Sequence, residues 1–327
     1  GPTAGSSAAV LARASRPVSR GVGATVEENV PRLARIGAAL VAVAALAAAL
    51  ATPSFAAAAP AASPSPLAAR RIVSLAPSVT EILFAVGAGD RVVAVSSSCD
   101  RPAEVARLPR VGTWVAPSVE EILALSPDLV VAVPSPGNRD AVLRLRELGL
   151  RVEVVGEATL GDAWDAMLRI GEWTGRDAEA RELVERLRHE LDEVRASVAG
   201  RRPRRALFVV GHEPLVVAGR GPFVDEILRV AGGENVAATT GRPWPRLSIE
   251  SVVGMSPEVI VDAAMGSEAS EALPSWWSKW ESVAAVHDRR VRSPASDAML
   301  RPGPRLGEAA REMRALLWDP APSPSAR

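Results

Sequence analysis

From Arg71 onward the chain alternates short apolar runs with stretches of helical spacing. Ile72 to Leu75 is a buried-strand pattern bounded by Pro77, and Val79 to Val86 has the i, i+3, i+4 spacing of a helix that stops at Gly87. Arg91 to Ser96, Leu129 to Val133 and Arg151 to Val155 read as strands; Ser118 to Leu125, with Ser118 as N-cap, and Asp140 to Leu148 read as the helices among them. Asp177 to Ala199 then runs without Gly or Pro, carrying one apolar stripe of Leu183, Val184, Leu187, Leu191, Val194 and Val198 and Arg and Glu elsewhere. After it the alternation restarts: strand Ala206 to Val210, helix Val224 to Val230, helix Glu250 to Met255, strands Val259 to Val261 and Arg290 to Arg292, and a closing helix Glu308 to Leu317. Strands separated by helices predict an α/β fold with mainly parallel sheets.

An internal repeat divides the chain. Trp114, Glu120, Ser126, Pro127 and Asp128 return as Trp244, Glu250, Ser256, Pro257 and Glu258, each 130 positions later. Glu81-Ile82-Leu83 before Gly87 likewise returns as Glu226-Ile227-Leu228 before Gly232. The expectation is two homologous β/α lobes, 70–175 and 203–319, joined by one long rigid helix over 176–202, with a ligand cleft between them.

The N-terminus reads as an address. Arg32 and Arg35 precede an apolar run from Ile36 to Ala51, and Ser54-Phe55-Ala56 fits a small-residue cleavage site. The run is too short for a comfortable membrane span, so residues 1–56 are expected to be an extension plus a cleavable secretory signal, processed after Ala56. Residues 57–69 read as a disordered linker and 320–327 as a disordered tail. The precursor has 38 basic and 38 acidic side chains; without residues 1–56 the balance is 33 to 36, mildly acidic, which argues against a nucleic-acid partner. One cysteine, Cys99, excludes an internal disulfide framework and a cysteine-cluster metal site.

Catalytic patterns are missing. There is no GxSxG elbow, phosphate-binding GxxxxGK[ST] loop or HExxH motif, so an exported enzyme on a similar scaffold is the weaker alternative and no catalytic residue is assigned. His189 falls in the charged helix and His287 in a polar turn, both surface positions; His212 follows a strand, where it either faces a ligand or serves structure. Trp114 and Trp244 sit in equivalent loops. Either they face each other across a cleft, offering flat apolar walls to a large planar ligand, or they plug the lobe cores. Glu120 and Glu250 lie in the first turns of their helices, where the dipole alone favours a carboxylate; the alternative is a symmetric pair clamping arginines on a partner. Asp297 and Arg301, spaced i, i+4, form either a surface ion pair or a polar pair at the cleft edge. Trp276, Trp277 and Trp280 could cap a lobe or line its mouth.

Five stretches carry a family resemblance: Arg71 to Gly89, Val95 to Pro102, Val111 to Val131, Ala231 to Val236 and Arg242 to Glu250. With them the chain resembles periplasmic substrate-binding proteins of the helical-backbone type, which serve ABC importers for cobalamin, haem and ferric siderophores. The Gly-Thr-Trp and Pro-Trp-Pro pieces are most similar to the cobalamin-binding branch. The resemblance implies a rigid periplasmic binder, monomeric and not an enzyme. It implies that Trp114, Trp244, Asp297 and Arg301 contact the ligand and that Glu120 and Glu250 dock on the permease. Family aromatics are missing at Ser98 and replaced by valine near Val133 and Val216, which thins the expected lining. The implied ligand is vitamin B12 or a related corrinoid, with a ferric siderophore or haem as alternatives; no other cofactor and no protein metal site are expected. With no Tyr in the chain, only His212 could ligate haem iron, and Arg220 and Arg301 could hold an anionic chelate.

Overall fold

A computed structural model describes residues 68–264 and 276–320. The expected secretory signal and most of the linker and tail lie outside them. Strands β1 (Ile72–Ser74), β2 (Val92–Val95), β3 (Leu129–Ala132) and β4 (Val152–Val154) form a parallel sheet in the order β2-β1-β3-β4. Helices α1 (Pro77–Ala85), α2 (Val119–Ala124), α3 (Arg139–Glu147) and α4 (Leu160–Thr174) cover its two faces. Alternation sorts the side chains. Val73, Val130 and Ala132 pack with Ile122, Val142 and Leu145, while Ile72, Leu129 and Val131 pack with Ile82, Met167 and Ile170 on the other face. The linker ends earlier than expected, because Ala69 is buried and its N–H donates to the Trp173 carbonyl at 2.8 Å.

Helix α5 (Asp177–Ser197) follows, and Leu183, Val184, Leu187, Leu191 and Val194 on its stripe are buried. It lies tightly on α4, where a side chain at Gly171 would collide with Ala180. The second lobe is built on β5 (Arg204–His212), with α6 (Phe223–Val230), α7 (Ile249–Met255), β8 (Val259–Asp262), α8 (Ala284–His287), β9 (Val291–Arg292) and α9 (Leu306–Trp318). Its sheet order is β6-β5-β8-β9. Two strands here have no sequence counterpart above: β6 (Leu215–Val217), antiparallel to the end of β5, and β7 (Gly233–Asn235), parallel to its start. Leu207, Val209 and Ile260 pack on one face with Val252 and Trp277; Ala206, Phe208, Val259 and Val261 face the other way. That second set, the inner face of the first sheet, α5 and α9 make one continuous core, so the apolar seam runs through both lobes.

The repeat acquires a structural meaning. Ser118 and Ser248, again 130 apart, cap α2 and α7 by accepting the N–H of Glu121 and Ser251, each at 3.3 Å. Ser126 and Ser256 end the same helices with positive φ of 48° and 47°. Arg71 donates to the Leu125 carbonyl as Arg205 does to that of Met255, and the acidic residue after each Pro accepts the backbone at the start of a strand: Asp128 takes the N–H groups of Arg70 and Arg71, Glu258 that of Arg205. The repeated letters are therefore largely helix ends and strand starts.

Leu187 is 1% exposed at the centre of the shared seam. Leu187→Ala should destabilise the protein by about 2–5 kcal/mol, read as a lower urea midpoint for both lobes together rather than for one of them.

Candidate ligand cleft

Parallel sheets gather their functional residues where strands end, and both sheets do so here. Ala76, Pro77 and Ser78 follow β1, Ser98 follows β2, Val133 and Pro134 follow β3, and Gly156 and Glu157 follow β4. Opposite them come Phe223 at the start of α6, Trp244 from the loop before α7, and the segment from Asp297 to Pro302. They line two adjoining, half-open chambers of about 510 and 270 Å³ that share Glu157 and Leu300. Trp244, Phe223 and Met299 face the larger one; Trp114, Ser98, Val133, Asp297 and Arg301 line the smaller.

The two tryptophans differ in setting. Trp114 is half-buried, packed against the shared core, and its carbonyl accepts from the Asn138 amide at 3.0 Å. Trp244 is 46% exposed and keeps a large apolar face in water, a condition that invites a ligand or partner.

Asp297 and Arg301 belong to a larger ion cluster that crosses from one lobe to the other. Arg301 donates to Asp297 at 2.8 Å, to the buried Glu81 of α1 at 3.2 Å and to Asp100. Arg305 grips Glu81 and Asp297 at 2.8 and 2.7 Å. Burial pulls the Arg301 guanidinium pKa down, but Asp100, Asp297 and Glu81 outweigh it and the net shift is upward; Arg305 shifts upward for the same reason. The Arg301 hydrogen bond, first among several causes, holds the Asp100 carboxyl below the usual carboxylate range. Arg301 is thus surrounded by carboxylates, and among the described residues it is the one basic side chain lining the chambers.

His212 and Val216 line neither chamber. The His212 ring bonds the buried Asp262 carboxylate at 2.7 Å, which also accepts from the Trp277 indole, and stacks on Trp276 with centroids 4.4 Å apart. Trp277 is core; Trp276 and Trp280 are partly buried beside it, with the Lys279 ammonium over both rings at 5.2 and 5.6 Å. The Trp cluster therefore closes the second lobe. Val216 sits on β6, bridged to Arg246. Arg220 is exposed and outside the chamber walls, and Cys99 is a buried free thiol in contact with Ser96 and Thr80. His189 and His287 are exposed.

Glu120 and Glu250 are exposed in the first turns of α2 and α7. Backbone hydrogen bonding, then the Ser248 hydroxyl, holds the Glu250 carboxyl below its usual range. No three His, Cys, Asp or Glu side chains converge as a metal cage among the described residues.

Sequence reasoning missed Phe223, Met299 and Glu157. Phe223 adds an aromatic to a lining that carries Ser98 and Val133 where aromatics were expected. Glu157 had one legible signal, its place directly after a parallel strand.

The sequence profile of the periplasmic binding protein family matches residues 72–297. A vitamin B12-binding protein of Vibrio cholerae is 30% identical over 249 residues, covering 76% of this chain and 89% of the relative. The crystal structure of a periplasmic vitamin B12-binding protein of the same species superposes with a TM-score of 0.67 at 29% identity, over 76% of this chain and 96% of that one. A periplasmic haem-binding protein of Roseiflexus in its apo form superposes with the same score at 27% identity, over 76% and 99%. Two β/α lobes on one seam, a cleft at their strand ends and a profile match over most of the chain agree: the protein belongs to the periplasmic binding protein family.

Proposed function

We propose that the protein is the exported solute-binding component of an ABC importer, taking vitamin B12 or a related corrinoid non-covalently in the interlobe cleft. The observation that carries this reading is the pairing of aromatic walls with an acidic polar set. Trp114 on one side and Trp244 with Phe223 on the other offer flat apolar faces, while among the described residues Glu157, Asp162 and Asp297 outnumber the single lining cation, Arg301. A neutral ligand edged with amides suits such walls; a tetrapyrrole or chelate edged with carboxylates meets like charge. No His or Tyr lines the chambers, and Arg220 stands outside them, so neither haem ligation nor an anionic chelate finds its usual partner here. The names of the curated relatives point the same way. In this reading the mature protein begins after Ala56 and acts in the periplasm as a monomer. It catalyses no reaction, and Glu120 and Glu250 engage the permease.

Titration of the mature protein with cyanocobalamin, haemin and ferric hydroxamates, followed by Trp fluorescence, tests the ligand directly. Saturation by cyanocobalamin near micromolar concentration is expected; preference for haemin or a hydroxamate would reject the corrinoid. Trp114→Ala and Trp244→Ala should each weaken binding by about 1–3 kcal/mol, and only the former should also lower the melting temperature, because Trp114 alone of the two packs on the core.

Arg301→Ala removes a donor from buried Glu81 and should cost about 1–3 kcal/mol of stability by chemical denaturation as well as weakening binding. The double variant Glu120→Ala, Glu250→Ala should bind normally in vitro and fail to support uptake in cells. Normal uptake would remove these carboxylates from the docking role.

A further inference from the structure

The charged side chains of the cleft are engaged by protein partners, with one exception. Asp162 accepts the N–H groups of Ala158 and Thr159 at 3.1 and 2.9 Å, completing the cap of α4. Asp297 is held by Arg301 and Arg305, and Arg301 is divided among Glu81, Asp100 and Asp297. Glu157 stands where the two chambers meet. Its Oε2 accepts the Ser78 hydroxyl at 3.2 Å, and among the described residues Oε1 has no hydrogen-bond partner. Around it the walls are mostly apolar: Ala76, Pro77, Ala158, Leu300 and Met299. Burial, only partly offset by the Ser78 hydroxyl, pushes its carboxyl above the usual carboxylate range. Oε1 is not sealed within the protein but opens on the chamber, so a ligand that fills the chamber and displaces water there has to supply the hydrogen bond itself.

We propose that Glu157 is a specificity-determining ligand contact, its open oxygen accepting an N–H from a primary amide at the ligand edge and turning away ligands that present a carboxylate there. This inference rests on the corrinoid reading. A corrin ring is fringed with such amides. Hydrolysis of one amide to an acid replaces the donor with a second anion and sets two like charges face to face where the bound ligand itself excludes water.

The test uses the mature protein and a matched ligand set: cyanocobalamin and its three singly hydrolysed propionamide derivatives, each carrying one carboxylate. Dissociation constants are measured near pH 7.5 for the wild type and for Glu157→Gln and Glu157→Ala. The wild type should favour cyanocobalamin over at least one mono-acid by about tenfold or more. Glu157→Gln, which keeps an acceptor without the charge, should hold cyanocobalamin within about threefold of wild type and shrink that discrimination to about threefold or less. Glu157→Ala should weaken cyanocobalamin by about tenfold. Equal wild-type affinity for all four ligands, or an unchanged ratio in Glu157→Gln, would overturn the role of Glu157 while leaving corrinoid binding intact. A wild type that does not bind cyanocobalamin would overturn both. Equal wild-type affinities decide against Glu157 even if a variant folds poorly, and where they differ the near-isosteric Glu157→Gln separates Glu157 from Asp162 and Asp297.

Discussion

The apolar seam along α5 is the constraint on which the cleft depends. Leu183, Leu187, Leu191 and Val194 are buried in the same core as Ile72 and Val131 from one sheet and Phe208 and Val261 from the other. Two lobes that share one packed interior have little freedom to rotate against each other, because close-packed interiors resist shear. Gly171 permits part of this by letting α4 and α5 approach at Ala180. The chambers above the seam inherit its rigidity, so recognition has to come from the shape and charge of fixed walls.

A second tie sits at the cleft itself. Glu81 and Asp100 belong to the first lobe, Asp297, Arg301 and Arg305 to the second; Glu81 and Asp100 take their guanidinium partners from across the cleft, while Arg301 and Arg305 also pair with Asp297 in their own lobe. Buried ion clusters stabilise little in net terms but penalise any geometry that leaves one charge unpaired. The cluster thus complements the seam: one sets the distance between the lobes, the other their register. It also occupies Arg301, the cation a ligand anion would otherwise seek.

Much of this was legible in the residues. Helical periodicity placed the connecting helix to within two residues of its end, and part of the repeat was legible because Ser126, Ser256, Asp128 and Glu258 sit at helix ends and strand starts, which local chemistry dictates. The missed strands have local reasons. Leu215–Val217 is three residues long beside Pro214, and Gly233–Asn235 has no apolar alternation; both exist because the longer β5 offers an edge to pair with. At the site, the tryptophans announced themselves by equivalence, whereas Glu157 belongs to no motif and becomes notable only when Ser78 and Leu300 arrive from distant parts of the chain. His212 shows the converse: a strand-end position suggested a ligand contact, yet Asp262 and Trp276 engage the ring, and neither partner could be inferred from spacing.

The αL turns at Ser126 and Ser256 and the acidic clamps Asp128 and Glu258 lie where strands begin, whereas Ser98, Val133 and Glu157 line the chambers just past strand ends, on the rim that also carries the capping serines. Part of what lets each lobe fold is thereby written on the rim opposite the chambers. Drift at Ser98, Val133 or Glu157 changes the chamber lining without touching those turns. A duplicated lobe with that division can diversify its cargo over many generations while its architecture stays the same.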